Sequence, residues 1–168
     1  ASTAAMAAEI WTLDLENGQQ EVLSDDRGSQ NPTFSPDGQW IAYNSNLEQV
    51  LSIVIQRFPS TGTRYTLGVG IGPVWAPDGD RLYFRDFSRV ALRSVALTTE
   101  RGVPEFGPIE PATVPSPLSR ALFRDYDVLP DESFVVVLPE GAASGEFRSR
   151  IDVVLNWHAE LGRLVPVN

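Results

Sequence analysis

The sequence predicts an all-β chain, a partial β-propeller of about three four-stranded antiparallel blades with a short helix at its C-terminal end. Three observations predict it. A complete tight turn, Ser35-Pro36-Asp37-Gly38, sits between strand-like Thr33-Phe34 and Trp40-Ile41-Ala42-Tyr43, and it returns as Ala76-Pro77-Asp78-Gly79 between Val74-Trp75 and Leu82-Tyr83-Phe84. Pro presets φ at the second turn position, Asp accepts amide hydrogens within the turn, and Gly supplies the left-handed conformation that rejoins the strands. The spacing is regular. Pro36 to Pro77 is 41 residues, and a third turn begins at Pro130-Asp131, 53 residues after Pro77, with the Pro-rich stretch 101–119 accounting for the excess. Four short strands repeated at such a spacing are the signature of propeller blades. Finally, 13 Pro and 13 Gly are spread over the 168 residues, which favours many short strands over long helices.

Each element follows in order. Residues 1–8 read as a linker or a remnant of expression, without the basic and apolar regions of an intact signal peptide. Residues 9–24 place Trp11, Leu13 and Leu15 on one face, then turn at Asn17-Gly18 into Glu21-Val22-Leu23, an outer strand pair. Residues 31–67 form one blade, with the quoted hairpin, an apolar strand around Ile53 and Ile55, and a short strand ending near Leu67. Residues 72–114 form the next, its last strand near Ile109 confined to an edge by proline. Residues 120–157 form the last blade, in which Arg150–Trp157 is a further strand, and 157–165 form the short helix, with Asn156 as cap and Pro166 as stop. Phe34, Trp75 and Val128 hold the same place before each turn and are expected between neighbouring blades.

Composition excludes several function classes. A chain of 168 residues, 42% of them hydrophobic, suits one domain with its own core. The net charge of −9 and pI near 4.5 oppose nucleic acid and anionic lipid. No apolar run reaches the ~20 residues of a membrane-spanning helix, so no membrane insertion is expected. Cysteine is absent, and with it disulfides, thiolate metal sites and thiol nucleophiles. All 13 basic residues are Arg, so no phosphate-loop or Schiff-base lysine exists.

The chemistry-bearing candidates are few. Asp125 and Asp127 lie two apart on the strand entering the third turn, where a blade's first strand lines the channel, and a carboxylate pair there suits Ca²⁺ or another divalent metal. His158 is the single imidazole, a catalytic or metal candidate that a symmetric oligomer would duplicate, and its simpler reading is a packed or solvent-facing helix residue. A Ser144–His158–Asp triad lacks the G-x-S-x-G elbow. No cofactor is otherwise expected. The run Gly68-Val69-Gly70-Ile71-Gly72 imitates a phosphate loop, yet Pro73 follows it and no lysine does, so it reads as an inter-blade turn. Arg81, Arg85, Arg89 and Arg93 read as solvated charges, and Trp11, Trp40, Trp75 and Trp157 as core. The turn carboxylates Asp37, Asp78 and Asp131 read as turn formers.

With these residues in hand, "NPTFSPDGQWIAYNSN" and "GPVWAPDGDRLYF" resemble the repeats of TolB-type, WD-repeat-like propellers. The tail "YDVLPDESFVVV" with "RIDVVLNWHAELGRLVP" resembles the C-terminal part of the six-bladed propeller that follows the kinase domain in many bacterial serine/threonine protein kinases. The resemblance runs from about Glu9 to Pro166; Leu129 and Glu132 depart from it where the family has Ser and Gly, and His158 where it has an aromatic. It implies a bacterial, periplasmic or extracytoplasmic module that binds a protein or peptide at the channel mouth without catalysis. The second reading is a metal-assisted hydrolase of an ester, lactone or phosphoester, using Asp125, Asp127 or an interfacial His158. About three blades cannot close a ring of six, so a homodimer is expected, in which the 9–24 pair of one chain completes the last blade of the other.

Overall fold

The computed structural model describes residues 8–24, 26, 28–47, 49–86, 91–100, 103–112 and 124–137, and these form twelve strands and no helix. The chain divides into two compact units, Ala1–Leu138 and Pro139–Asn168, and every described residue belongs to the first. The expected strand 150–157, the helix 157–165, Ser144 and His158 lie outside the described residues.

The strands form four antiparallel sheets, called A to D here. Sheet A pairs β1 (Ile10–Leu13) with β2 (Gln20–Ser24). Sheet B is a meander of β3 (Gln30–Phe34), β4 (Trp40–Leu47), β5 (Val50–Arg57) and β6 (Arg64–Val69). Sheet C repeats it with β7 (Ile71–Trp75), β8 (Arg81–Asp86), β9 (Ala91–Glu100) and β10 (Val103–Pro111). Sheet D pairs β11 (Tyr126–Val128) with β12 (Phe134–Val136). The first strand of C packs against the first strands of both B and D. First strands in line, with sheets stacked face to face, make a partial and open β-propeller.

Alternation decides which neighbour each side chain meets. Ile41 and Tyr43 of β4 face sheet A with Val54, Ile10 and Leu23. Trp40 and Ala42 face sheet C, joining Ile53, Ile55, Trp75, Leu82 and Phe84. Tyr83 turns the other way, toward Tyr126 and Phe134 of sheet D. Since both faces of sheet C are packed against neighbours, all five residues of β7 are buried, including the glycine and proline of Ile71–Trp75.

The repeated turns behave as their chemistry requires. The Asp37, Asp78 and Asp131 carboxylates each accept the amide hydrogen two residues on, from Gln39, Asp80 and Ser133, at 3.0, 3.2 and 3.0 Å. Gly38 and Gly79 have φ of 69° and 81°, and Glu132 holds the same left-handed conformation at 63°. The third turn is also one residue shorter. Ser35 and Ala76 donate to the carbonyls of Trp40 and Arg81, five residues on, whereas Leu129 donates to Ser133, four residues on. The deletion shifts the following strand by one, so Phe134 takes the place of Ile41 and Leu82, opposite the pre-turn residue.

The glycine run 68–72 is the connection from B to C. A Cβ on Gly70 would lie 2.6 Å from a Phe84 ring carbon and 3.1 Å from the Arg85 carbonyl oxygen, so only glycine lets the chain pass there.

Candidate functional site

Register identifies what sheet A is. In B, the β5–β6 ladder runs Gln56↔Arg64, Ile55↔Tyr65, Val54↔Thr66, then breaks before Ile53↔Gly68. In A, the ladder runs Leu13↔Gln20, Thr12↔Glu21, Trp11↔Val22, then breaks before Ile10↔Ser24. The two hairpins share the same bulge at the same place in the ladder, and the β5–β6 ladder runs one pair further, to Ser52↔Val69. Leu23 and Leu67, the residues skipped at that bulge, both pack toward the following sheet. Sheet A is therefore the third and fourth strands of a blade, and sheet D is the first and second.

This incompleteness exposes apolar surface at a defined place. Phe34 and Trp75 are repeat-equivalent, each opposite the first apolar residue after its turn. Trp75 is 5% exposed, because Trp40 of the preceding blade covers it, and its Nε1 donates to the Thr33 carbonyl at 3.2 Å. Phe34 is 50% exposed. It is expected between two blades, yet the ring it meets edge to face, at 5.1 Å, is Phe58 of its own blade. A groove of about 610 Å³ opens beside it, walled by Trp11, Thr12 and Leu13 of β1 and by Phe34, Phe58 and Pro59. Trp11, expected as core, is 54% exposed, and so is Leu13 on the same face. At the other end of the stack, Val135 and Val137 are exposed as well.

Polar contacts tie successive blades at equivalent points. Asn44, one residue beyond Tyr43 in β4, accepts the Gly72 amide at the start of sheet C's first strand, at 3.4 Å, and the Asn31 side-chain amide at 2.8 Å. Arg85 is the equivalent of Asn44 in sheet C, since Arg85 opposes Ile71 as Asn44 opposes Gln30. It is buried and binds Asp125, ahead of sheet D's first strand, with Nη1 to Oδ2 at 2.7 Å. The reading of Arg85 as a solvated charge is thus corrected, because its place in the repeat points it into the C–D seam. Beside it the Tyr126 hydroxyl donates to the Gly72 carbonyl at 2.7 Å, and burial pushes that phenol well above its usual range, keeping it a neutral donor.

The predicted metal candidates occupy different surroundings. Asp125 is buried against a guanidinium, whereas Asp127 is exposed and its Oδ1 accepts the Val128 amide at 3.0 Å. Among the described residues no group of three or more His, Asp or Glu is placed to hold a metal ion. A small polar hollow of about 220 Å³ lies along the first strands, walled by Asn31, Pro32 and Arg124. Among the turn carboxylates, the Ser35 hydroxyl and the Gln39 amide lower the Asp37 pKa, and the Ser133 hydroxyl and amide lower that of Asp131. Desolvation and the neighbouring Asp78 raise that of Asp80. Sequence reasoning missed Arg85, Phe58 and the groove. The signal that finds them is the register of the hairpins, which composition and spacing do not carry.

No protein-family model matches the chain, and no curated protein does. Among solved structures, hydrazine synthase from Kuenenia stuttgartiensis is similar at a TM-score of 0.52 and 11% identity, covering 83% of this chain and 54% of that one. A TolB from Agrobacterium tumefaciens aligns at 0.47 and 19%, covering 75% and 48%, and TolB from Acinetobacter baumannii at 0.42 and 18%, covering 83% and 45%. The chain thus spans about half the length of each. At these identities the likeness is one of fold, and the fold it supports is the partial, open β-propeller described above.

Proposed function

We propose that the chain is a non-catalytic propeller module that assembles with a second copy and binds a protein or peptide partner. The observation that carries this is the mismatch between equivalent residues, Trp75 buried and Phe34 half exposed, which marks the groove beside sheet A as a surface made to be covered. The opposite end of the stack supports it with Val135 and Val137 exposed on the pair of strands described there. Partner binding is assigned to the first-strand face, where the Asn31–Arg124 hollow offers a guanidinium to a carboxylate or carbonyl. The resemblance of the repeats to bacterial kinase-associated propellers supports an extracytoplasmic setting for such a module.

Light scattering behind size exclusion tests the assembly. The expected mass is twice 18.4 kDa, and a mass of 18.4 kDa over the micromolar range contradicts it.

A further inference from the structure

The turn that joins β1 to β2 carries a reactive pair. Asn17 is the only asparagine of the chain followed by glycine, and both residues are exposed at the hairpin tip. Such a pair modifies itself without any cofactor. The glycine nitrogen gives its proton to solvent base and attacks Cγ of the asparagine. The bond from Cγ to Nδ2 breaks and ammonia leaves. Water then opens the cyclic imide to aspartate or isoaspartate, so an amide and a water become a carboxylate and ammonium. Glycine favours the step because no Cβ hinders the approach. Asp37-Gly38 and Asp78-Gly79 share the glycine, but an ionised carboxylate is a far poorer electrophile than an amide.

The hydrogen bonds of the turn act on this reaction in opposite senses. The Gln19 amide donates to Asn17 Oδ1 at 2.8 Å, where negative charge gathers when Cγ is attacked. Asp14 opposes the attack with both of its acceptors. Its carbonyl accepts the Gly18 N–H at 2.8 Å, so the attacking nitrogen keeps its proton. Its Oδ2 accepts from Asn17 Nδ2 at 2.8 Å, which holds the side-chain amide, and its Oδ1 is itself held by the Glu16 amide at 2.8 Å. A carboxylate this close also repels the negative charge that develops on the Gly18 nitrogen and on Asn17 Oδ1.

We propose that Asn17 is a self-modification site, primed by Gln19 and held closed by Asp14 while the hairpin is folded. The proposal is independent of the assembly reading. Its consequence is local. Aspartate at 17 replaces the Nδ2 donor with a carboxylate oxygen facing Asp14 Oδ2, and isoaspartate adds an atom to the main chain of the turn. Either change loosens the closing end of the hairpin, next to the Leu13↔Gln20 pair, while Ile10 and Leu23 stay buried at the other end.

Mass spectrometry of the full chain, aged in mildly alkaline buffer, tests this. Cleavage after Arg27 isolates Asn17 as the sole asparagine of its fragment, and the reaction shows as the mass gain of exchanging NH2 for OH. The fragment should convert slowly in the folded chain and roughly tenfold or more faster in guanidinium chloride, since the hairpin must open first. Asp14→Asn keeps an acceptor for the Glu16 amide and removes the charge, so it should speed conversion several-fold while the circular dichroism spectrum stays that of the wild type. Asn17→Asp should lower the melting temperature at neutral pH. Equal rates in the folded and unfolded chain overturn the proposal, as does an earlier mass gain at another asparagine in the unfolded chain. An Asp14→Asn variant that converts no faster than wild type overturns the part given to Asp14, and an Asn17→Asp variant that melts with the wild type overturns the consequence.

Discussion

The B–C and A–B interfaces are the same interface built twice, once complete and once by half. In the first, Trp40 stands over Trp75, Leu97 closes the outer end, and the indole N–H is satisfied by Thr33. In the second, Phe34 replaces Trp75 and Phe58 lies in line with Leu97, but no strand among the described residues stands where Trp40 would. The outer half of the A–B seam is nonetheless well made. Gln56 bridges the Tyr43 hydroxyl, at 3.0 Å, and the Leu23 carbonyl, at 3.4 Å, and both Ile10 and Leu23 are buried. A blade interface thus has two separable parts, an outer one that strands three and four complete by themselves and an inner one that needs strands one and two.

The largest effect should fall on the complete interface. Trp75→Ala removes a side chain packed on both sides and should cost about 3–5 kcal/mol in urea unfolding. Phe34→Ala, at the equivalent position, should cost the isolated chain under about 1.5 kcal/mol, since half of the ring is already in water. If assembly covers Phe34, its cost should instead appear as weaker dimerisation at fixed chain stability, read by dilution. Equal losses of chain stability at the two positions would erase the contrast.

Next comes the C–D seam. Arg85→Met leaves Asp125 as a buried charge without its guanidinium and should cost about 3–5 kcal/mol. The double variant Arg85→Met with Asp125→Leu should recover most of that, because an apolar pair of similar size suits a seam already lined by Val74 and Tyr126. A double variant as unstable as the single one would show that the ion pair, not its shape, holds sheet D.

The turns should respond by less. Glu132→Gly relieves a non-glycine residue at φ 63° and should stabilise the chain by about 1 kcal/mol, while Gly38→Ala at φ 69° should destabilise it by a similar amount. Either change with the opposite sign would separate the third turn from the first two.

The smallest effects are in pH. Asp37 is lowered in the fold, so its contribution is present above the unfolded value of 3.8 and lost as the pH falls through its lower folded value. Asp80 is raised, so it opposes folding once the pH exceeds its folded value. Asp80→Asn should therefore melt slightly higher than wild type at neutral pH, with the difference gone in acid below 3.8, and Asp37→Asn should melt lower at neutral pH. Melting curves at neutral and acid pH decide both signs.

Much of this was legible in the residues. The Pro-Asp-Gly turns and their spacing place two whole blades, and the Asn17-Gly18 hairpin is found as expected, with Asp14 accepting the Gly18 amide through its carbonyl at 2.8 Å. Other features depend on register. Phe134 and Val135 are both strand-formers, and nothing in "LPDESFVVV" tells which one faces the core until the turn is seen to be a residue short. Arg85 reads as a surface charge because its neighbours in the sequence are charged or aromatic, while its partner lies 40 residues away across a seam. The groove is harder still, since it consists of what is missing beside Phe34, and local pattern describes only what is present.

Completion of the half-covered A–B interface by a second copy, as proposed, would make one closed ring. Small-angle scattering with absolute mass tests it most directly, because it reads mass and compactness together. The expected particle has twice 18.4 kDa and a radius of gyration of about 20 Å, that of a compact body of twice 168 residues. A particle of 18.4 kDa near 15 Å, or a dimer much more extended than 20 Å, would contradict it.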